Sequence, residues 1–547
     1  MSPLTDKTIH GLAAFPAMAS HGSSQGIHEE PSGNEAVSSS QNTADNDGVS
    51  LPASPWVPEQ IGLRQSVSNY IRSLFPFLDW IKHYKSHWLA GDVIAGITVG
   101  AVVIPQGMAY ASLAKLAPQF GLYSSFMGAA LYWIFGTSKD ISIGPVAVLS
   151  TVVGTVVEDV ISRPETRHFP PHVIASALSI VAGCLVSTIG LLRCGWIVDL
   201  LSVTSLSAFM TGSAITIFAS QLPSLLGLTG FSHRDAAYKV VMHTLQNLDD
   251  MSLDTAVGLT GLLLLYLIRR VLATAAARLP EHKQAVFLMS SMRTVFVISF
   301  YTVISFLVNR HRRQNPLFYV LGTVPSGFHS VAAPTLSAPL VSSLGPHLPA
   351  TVVVMLAEHI AISKSFGLAN NYAIKPSQEM VAIGTSNILG SLFGAYPSTG
   401  SFSRTAIQSK AGVRTPAASI ITAVVVVLAT IYLTDVFYYI PRATLAAVII
   451  HAVGDLATPL DELYQLWLIS PIEVLNFILG VVVSIVVGIE HGLYVTVAFS
   501  TVVALYRKSN ARGRSLAQAR DCRVVGDRVM DENGHRNYGH YGTFEEV

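Results

Sequence analysis

The sequence predicts an all-α polytopic membrane protein. Half of the 547 residues are hydrophobic and 12% are charged, whereas charged residues make up about 25% of ordinary soluble domains. The mean hydropathy is +0.48, and most charges lie near the chain ends and in a few loops. A soluble protein of this size needs more charge to cover its surface, so the composition indicates lipid as the surrounding solvent.

The chain divides into three zones of different composition. Residues 1–65 are rich in Ser, Gly, Asn, Pro and Ala without apolar periodicity, and we expect a disordered cytosolic segment that lacks the features of a secretory signal. Residues 66–506 form the predicted transmembrane domain. Residues 507–547 are predicted to be a short cytosolic tail, which is smaller than an ordinary domain.

Apolar runs in the middle zone predict the number of transmembrane segments. At roughly 1.5 Å per helical residue, thirteen runs are long enough to cross most or all of a hydrocarbon core of about 30 Å. The thirteen runs are 90–112, 121–136, 143–161, 172–192, 200–222, 253–272, 294–309, 347–363, 380–396, 416–434, 440–455, 470–488 and 490–506. A fourteenth segment, at about 400–413, is more polar than the others.

Two of these segments depart from a simple helix. SIGPVAVLS at 142–150 has Gly144-Pro145 near its start, and YPSTGSFSR at 396–404 is rich in Ser, Thr and Gly. We predict a short helix preceded by extended chain at each place, and their matching positions in the two halves are typical of inverted-repeat transporters. Irregular backbone at membrane depth persists where it lines a cavity or packs within protein. Two ordinary Pro-kinked helices are the alternative.

Positively charged residues predict the orientation of the segments. Lys82 and Lys85 precede the first segment, while Arg507 and Lys508 follow the last one. With an even number of segments, this distribution places both termini in the cytosol. The basic cluster at 310–313 then falls on the external side, against the bias of the rule.

Five blocks of sequence resemble the sulfate permease (SulP) family of anion transporters, and above all its fungal members. The blocks are IPQGMAYASLAKLAPQFGLYSSF (104–126), GTSKDISIGPVAVLS (136–150), AFMTGSAITI (208–217), GAYPSTGSFSRTAIQSKAGVRTP (394–416) and SPIEVLNFILGVVVSIVVGIEHGLYVTV (470–497). The resemblance covers residues 70 to 510 or so. It implies 14 transmembrane segments in two inverted 7-segment repeats, as in uracil transporters, with half-helices as segments 3 and 10.

The same resemblance implies that two sets of segments have different roles. Segments 1–4 and 8–11 would form a core domain that carries the substrate, and segments 5–7 and 12–14 would form a gate domain. Family members are usually homodimers whose core moves like an elevator. Most members also carry a cytosolic STAS domain after the last segment, but residues 507–547 lack the length and the alternating apolar runs of that module. We therefore expect the STAS domain to be absent or truncated.

A divalent anion at membrane depth requires positive charge and hydrogen-bond donors. Two half-helices with facing N-termini supply about +0.5 each together with free N–H groups. Their first residues are predicted to be Pro145, Val146 and Ala147 in one half and Ser401, Phe402 and Ser403 in the other. Arg404 adds a full charge, so the sum of about +2 balances sulfate.

The resemblance assigns ligand contacts to several of these positions. It implies that the side chains of Gln106 and Tyr110 face the ligand, and their spacing of four places them on one helical face. The third-segment contact matches Val146–Ala147. The tenth-segment contacts match Ser401, Ser403 and Arg404. A purely structural counter-charge at Arg404 and helix-bridging roles for Gln106 and Tyr110 are the alternatives.

Glu358 lies inside the apolar run TVVVMLAEHIAIS, where a carboxylate is costly and therefore a functional candidate. Related symporters carry a proton-coupling Glu in this eighth segment. We predict that one or more protons travel with sulfate and that Glu358 carries one, pairing with Arg404 when the site is empty. A hydrogen bond that joins two helices is the alternative role, and the neighbouring His359 is assigned to packing.

The sequence thus predicts a proton-coupled sulfate symporter, with the plasma membrane as its location. An exchanger of chloride, bicarbonate or oxalate and a transport-poor anion sensor are the alternatives within the same fold. Nucleobase transporters share this fold but place an acidic residue where the tenth segment of this chain has Arg404. The sequence contains no catalytic set, cofactor motif, metal-ligand spacing or large basic surface, so we predict no enzyme activity, cofactor, metal or nucleic-acid partner.

Overall fold

A computed structural model describes most of the chain between residues 70 and 530. The described residues are 70, 72–200, 202–228, 236–278, 282–312, 316–329, 331–520, 523–525 and 528–530. The chain divides into two compact units, residues 1–74 and 75–547. The predicted disordered segment 1–65 lies outside the described residues, as does most of the predicted tail after 520.

Each of the fourteen predicted segments contains an α-helix. In chain order, α1 to α14 are Trp88–Leu113, Pro118–Phe135, Ala147–Ser162, Pro171–Leu191, Val203–Leu225, Leu253–Arg278, Lys283–Asn309, Leu348–Ala369, Pro376–Ser391, Phe402–Lys410, Ala418–Tyr432, Arg442–Gly454, Pro471–Val486 and Ile489–Arg520. Shorter α-helices of the described residues are Phe77–Trp80, Ala237–Gln246, Ala338–Leu344, Thr434–Phe437 and Leu460–Ile469. Single 3₁₀ turns are Ile81–His83, Gly195–Leu200, Leu248–Asp250 and Gly345–His347.

Several helices have the length and composition of membrane spans. Seven helices of the described residues meet both conditions: α1, α4, α5, α6, Ala285–Asn309 of α7, Ala338–Ala369 including α8, and Ile489–Arg507 of α14. The helices α11, α12 and α13 are apolar but shorter. The predicted all-α membrane fold is therefore confirmed, and the number of fourteen transmembrane segments stays a prediction.

Extended chain interrupts the helical structure at both predicted places. Strand β1, Ile143–Gly144, pairs antiparallel with strand β2, Thr399–Gly400, so that Ile143 lies opposite Gly400 and Gly144 opposite Thr399. Val146 and Ser401 are still extended, and α3 and α10 begin directly after them. Both helices thus begin directly after the same pair of strands. We call the pair of β1 (Ile143–Gly144) and β2 (Thr399–Gly400) the strand crossing. A second strand pair, β3 (Arg523–Val525) with β4 (Arg528–Met530), follows α14.

Several helix boundaries differ from the prediction, and at three of them polar residues end an apolar run without ending the helix. Helix α9 begins at Pro376, four residues before the predicted start, and so includes Glu379. Helix α7 begins at Lys283 rather than 294. Helix α14 continues to Arg520, beyond the predicted end at 506.

The helices pack in two groups. In the first group, α4 packs on α9, α9 on α2, and α1 on both α2 and α11. In the second group, α5 packs on α12, α13 and α14, while α6 packs on α7 and α12. The half-helices α3 and α10 both contact α1 of the first group. This arrangement places the strand crossing beside α1.

Glycines allow close approach of helices beside the crossing. A Cβ atom at Gly107 of α1 would lie 2.7 Å from Ser125 Oγ of α2, and one at Gly121 of α2 would collide with the Gly107 carbonyl oxygen. Between α4 and α9, a Cβ at Gly183 would lie 2.9 Å from the Gly384 carbonyl oxygen. Small residues at such contacts let membrane helices pack by van der Waals contact. The glycine at 107 directly follows Gln106 and so fixes α1 at the level of the predicted site.

Candidate anion site

Hydrogen bonds beyond the β1–β2 pair hold the two broken helices together. The backbone N–H of Ser401 donates to the Ser142 carbonyl oxygen at 3.0 Å, and the Ser142 N–H donates to Thr405 Oγ1 at 3.2 Å. Thr399 Oγ1 donates to the Met355 carbonyl oxygen of α8 at 3.0 Å. The start of α10 is therefore attached both to the extended chain of the first half and to the middle of α8.

The chain that leads into β2 is held by three further helices. Asn387 of α9 accepts a hydrogen bond from the Ser398 N–H at 2.8 Å and donates to the Ser398 carbonyl oxygen at 2.9 Å. The Tyr396 hydroxyl lies 3.1 Å from Ser150 Oγ of α3, and the Tyr396 N–H donates to Ser124 Oγ of α2 at 2.9 Å. These contacts satisfy backbone groups that would otherwise be unpaired at membrane depth.

Arg404 lies where the two halves meet. Its side chain is fully buried, and Nη1 donates a 2.9 Å hydrogen bond to the Pro145 carbonyl oxygen. Neither Nε nor Nη2 has a hydrogen-bond partner among the described residues. A Cβ at Gly144 would lie 3.2 Å from Nη2, so the glycine leaves room for the guanidinium. The donors left free on this cation are available to an anionic partner.

Polar side chains from α1, from α8 and from the chain before β2 lie near this cation. Tyr110, Tyr396 and Glu358 are close enough to Arg404 to influence its charge. Gln106, Tyr110 and Glu358 are all buried, and neither Gln106 Oε1 nor Glu358 Oε2 has a hydrogen-bond partner within the described part of the chain. The structure thus brings Tyr110, Glu358 and Arg404 together, without a hydrogen bond between Glu358 and Arg404 among the described contacts. Gln106 lies one helical turn before Tyr110 on α1.

The remaining predicted site residues have different surroundings. Val146 and Ala147 are buried in the same apolar cluster as Tyr110. Ser401 is buried whereas Ser403 is exposed, with 3.4 Å between their hydroxyl oxygens. The Phe402 ring packs against Phe366, with ring centroids 5.4 Å apart, so its side chain belongs to an apolar contact with α8. Its backbone still forms the first turn of α10, where N–H groups lack intrahelical acceptors.

A buried acidic residue was missed in the sequence. Glu379 of α9 has no exposed side-chain surface, and its carboxylate contacts His359 Nε2 at 2.8 Å. The sequence offered little signal for this residue, because it lies in PSQEM at the polar start of α9 rather than inside an apolar run. His359 does not only pack, as the sequence suggested, but forms this polar contact as well.

The chain is similar to a known family of transporters. The model of the sulfate permease family matches residues 89–480. Sulfate permease 2 of Neurospora crassa is 52% identical over 456 residues, which are 83% of this chain and 55% of the relative. Sulfate permease 1 of Saccharomyces cerevisiae is 39% identical over 485 residues, 86% of this chain and 56% of the relative. The chain spans about half the length of the curated relatives it matches.

Solved transporter structures share the fold. The overall structure of SLC26A9 gives a TM-score of 0.73 with 22% identity, over 81% of this chain and 70% of that chain. The transmembrane domain of the cyanobacterial bicarbonate transporter BicA gives a TM-score of 0.60 with 17% identity, over 77% of this chain and 98% of that chain. At these identities the similarity establishes the helical membrane fold and nothing about the ligand.

Proposed function

The chain belongs to the sulfate permease family, and on that premise we propose that it transports sulfate across the membrane in which it is integrated. The relatives that match most of this chain are named sulfate permeases. The proposed binding site lies between the N-termini of α3 and α10, the two helices that follow the paired strands β1 and β2.

One observation carries this proposal: a fully buried arginine in the first turn of α10 bonds to the start of α3 and keeps two donor atoms that no described residue accepts. Each helix start contributes about +0.5 and Arg404 contributes +1, so the site offers about +2 to a bound anion. Sulfate carries two negative charges, and its transfer into this site would leave no large uncompensated charge. A monovalent anion would leave about one positive charge unbalanced at membrane depth, which is unfavourable.

We assign the predicted residues to parts of this site. Gln106 and Tyr110 offer side-chain donors from α1. Pro145, Val146 and Ala147 form the start of α3, where small side chains let the anion approach the backbone. Ser401, Phe402 and Ser403 form the start of α10, with two hydroxyl groups and the free N–H groups of the first turn.

Glu358 is proposed to couple sulfate to protons. It is buried, interacts electrostatically with Arg404 and has an oxygen atom without a hydrogen-bond partner among the described residues. In its ionised form it would cancel one of the two positive charges, so protonation would restore the charge balance when sulfate binds. Coupling the two events makes the proton gradient a driving force for uptake.

The two packing groups support an elevator mechanism. We propose that α1–α4 and α8–α11 move as the core that carries sulfate, while α5–α7 and α12–α14 form the gate. We further propose a homodimer in the plasma membrane, with both termini in the cytosol. These assignments follow the family resemblance and the positive charges that flank the first and last segments.

Uptake of radiolabelled sulfate into proteoliposomes, at two external pH values, tests the proposal. The intact chain should accumulate sulfate faster when the outside is acidic, and Arg404→Gln should strongly reduce this uptake at low sulfate concentrations. Arg310→Gln, which removes an exposed arginine outside the site, serves as the matched control and should transport normally. Vesicles that exchange chloride or bicarbonate but carry no sulfate at either pH would refute the proposal.

A further inference from the structure

A second pair of titratable groups lies next to the proposed site. His359 follows Glu358 on α8, and its Nε2 atom is 2.8 Å from Glu379 Oε2 of α9. Neither side chain has exposed surface. The pair is therefore distinct from Glu358, whose described electrostatic partner is Arg404.

The contacts of Glu379 fix the hydrogen on His359. Besides His359, the Glu379 carboxylate accepts hydrogen bonds from the Tyr132 hydroxyl at 2.9 Å, the Thr137 N–H at 2.7 Å, the Thr137 hydroxyl at 2.6 Å and the Ser138 N–H at 3.1 Å. The groups of Thr137 and Ser138 donate to Oε1 and the Tyr132 hydroxyl donates to Oε2, so donors reach both oxygens, as an ionised carboxylate requires. We therefore assign the hydrogen of the neutral ring to Nε2 of His359, which donates it to Glu379.

The other ring nitrogen of His359 has no hydrogen-bond partner among the residues that the structure describes. Nδ1 is buried and makes no hydrogen bond with any described residue. It faces Gly400 of β2, since a Cβ atom at that glycine would lie 3.3 Å from Nδ1. Gly400 directly precedes Ser401 of the proposed site. A buried polar atom without a partner is rare and requires an explanation, of which proton chemistry is one.

Hydrogen-bonded groups connect this pair with the C-terminal end of α8. The Tyr132 hydroxyl accepts from the Ser138 N–H at 3.2 Å, and Ser138 Oγ lies 2.7 Å from the hydroxyl of Tyr372. Tyr372 follows α8, is partly exposed and lies near Asp140. The polar contacts therefore extend from Glu379, on the Nε2 side of the His359 ring, to a partly exposed residue.

We propose that His359, paired with Glu379, is a second proton-binding residue of this carrier. Loading transfers a proton from a hydronium ion to the Nδ1 lone pair: an O–H bond breaks, an N–H bond forms, and a water molecule and an imidazolium result. Release returns that proton from Nδ1 to water and leaves a neutral ring that still donates from Nε2 to Glu379. The inference rests on the proposed function, because it adds a second proton to sulfate transport.

Charge balance links this protonation to the anion. With a neutral imidazole the pair carries one negative charge beside β2, which opposes sulfate, and with an imidazolium the pair is neutral. Sulfate binding therefore favours protonation of His359, and protonation favours sulfate binding by the same factor. The titratable or charged groups that face the pair or its contacts are Glu358 on the same helix, Tyr132 on α2, Tyr372 after α8, Asp140 before β1 and Arg404 on α10.

The pH dependence of sulfate affinity in proteoliposomes tests the inference. Each proton bound with sulfate adds about one unit to the slope of log apparent KM against pH. His359→Gln keeps a donor for Glu379 but does not titrate, so it should lower this slope by about one while equilibrium exchange of labelled sulfate at acidic pH continues. Glu379→Gln should lower the slope in the same way, because the imidazolium loses its counter-charge.

Two further variants and two contrary outcomes separate the possible results. His168→Gln, at an exposed loop histidine, should keep the wild-type slope. A double variant with His359→Gln and Glu358→Gln should have a slope about two units below the wild type, as expected for two separate proton sites. Slopes equal to the wild type in both His359→Gln and Glu379→Gln would overturn the inference while leaving sulfate transport intact. An intact chain that moves no sulfate would refute the proposed function instead, and if His359→Gln fails to fold, the slope of Glu379→Gln decides.

Discussion

The guanidinium of Arg404 donates a 2.9 Å hydrogen bond to the carbonyl oxygen of Pro145, which lies 259 positions earlier in the chain. Arg404 is a fully buried, charged residue of α10, and this bond attaches its side chain to the start of α3. Both broken helices consequently direct their N-termini to the same region, and the orientation of one depends on a side chain of the other.

Replacing Arg404 should separate the effect of charge from that of geometry. Arg404→Gln removes the charge, and the loss of one partner of a buried charged contact costs about 2–5 kcal/mol, so sulfate affinity should fall at least about 30-fold. Arg404→Lys keeps the charge but not the planar fork, and an intermediate loss is expected. Initial uptake rates over a range of sulfate concentrations, corrected for protein in the vesicles, measure both. Equal affinities for the lysine and glutamine variants would show that the charge itself does not bind sulfate.

Glu358→Gln should weaken the coupling of sulfate to protons without abolishing sulfate binding. The amide has nearly the same shape but stays neutral, so this position no longer exchanges a proton at any pH. Exchange of labelled for unlabelled sulfate should persist, whereas accumulation driven by an inward proton gradient should fall, because one of the two proposed protons is lost. A matched control is Glu165→Gln, at an exposed loop position. If Glu358→Gln concentrates sulfate as strongly as the wild type under the imposed gradient, the coupling role of this carboxylate is wrong.

Part of this site was predictable because local sequence specifies it. Gly144-Pro145 and the Ser/Thr/Gly-rich stretch at 396–404 disfavour helix, and the structure has extended chain at both places. Arg404 and Glu358 stand out since each carries a charge within a segment predicted to lie in the membrane. Their ligand roles stay predictions, because no contact within the chain reports on a bound anion.

Other features depend on tertiary structure and had no local signal. The register of β1 against β2 and the hydrogen bond to Pro145 join residues from opposite halves. Glu379 was overlooked because its burial results from the packing of α9 against α2 and the chain before β1, not from its own neighbours in sequence. The direction of the Phe402 ring toward Phe366 likewise follows from where α8 lies.

Gly121→Ala should destabilise the helix pair that presents Gln106. Its new Cβ would collide with the Gly107 carbonyl oxygen of α1, which is backbone and cannot rotate away. Overpacking of this kind typically costs about 1–3 kcal/mol, so the unfolding temperature in detergent should fall. Gly345→Ala is the control, because nothing lies within 4 Å of a Cβ at that position. Equal unfolding temperatures for the two variants would contradict the close contact of α1 with α2.

Asp92 should be required for stability rather than for recognition of sulfate. Its fully buried carboxylate at the start of α1 accepts hydrogen bonds from the Arg414 N–H at 2.7 Å, the Thr415 N–H at 3.0 Å and the Thr415 hydroxyl at 2.7 Å. The Tyr84 hydroxyl donates a fourth, at 3.2 Å. These bonds attach α1 to the chain between α10 and α11. The position of the half-helix therefore depends on an acceptor outside the proposed site.

Removing this acceptor should lower stability in a graded way. Asp92→Ala leaves several buried donors unpaired, each of which costs about 1–3 kcal/mol, whereas Asp92→Asn keeps one oxygen for the two N–H groups. The unfolding temperature in detergent should therefore decrease in the order wild type, Asn variant, Ala variant, while Asp435→Ala at an exposed position should not change it. Folded Asp92→Asn protein should bind sulfate with nearly unchanged affinity. A large loss of affinity with an unchanged unfolding temperature would mean that Asp92 acts on the anion itself.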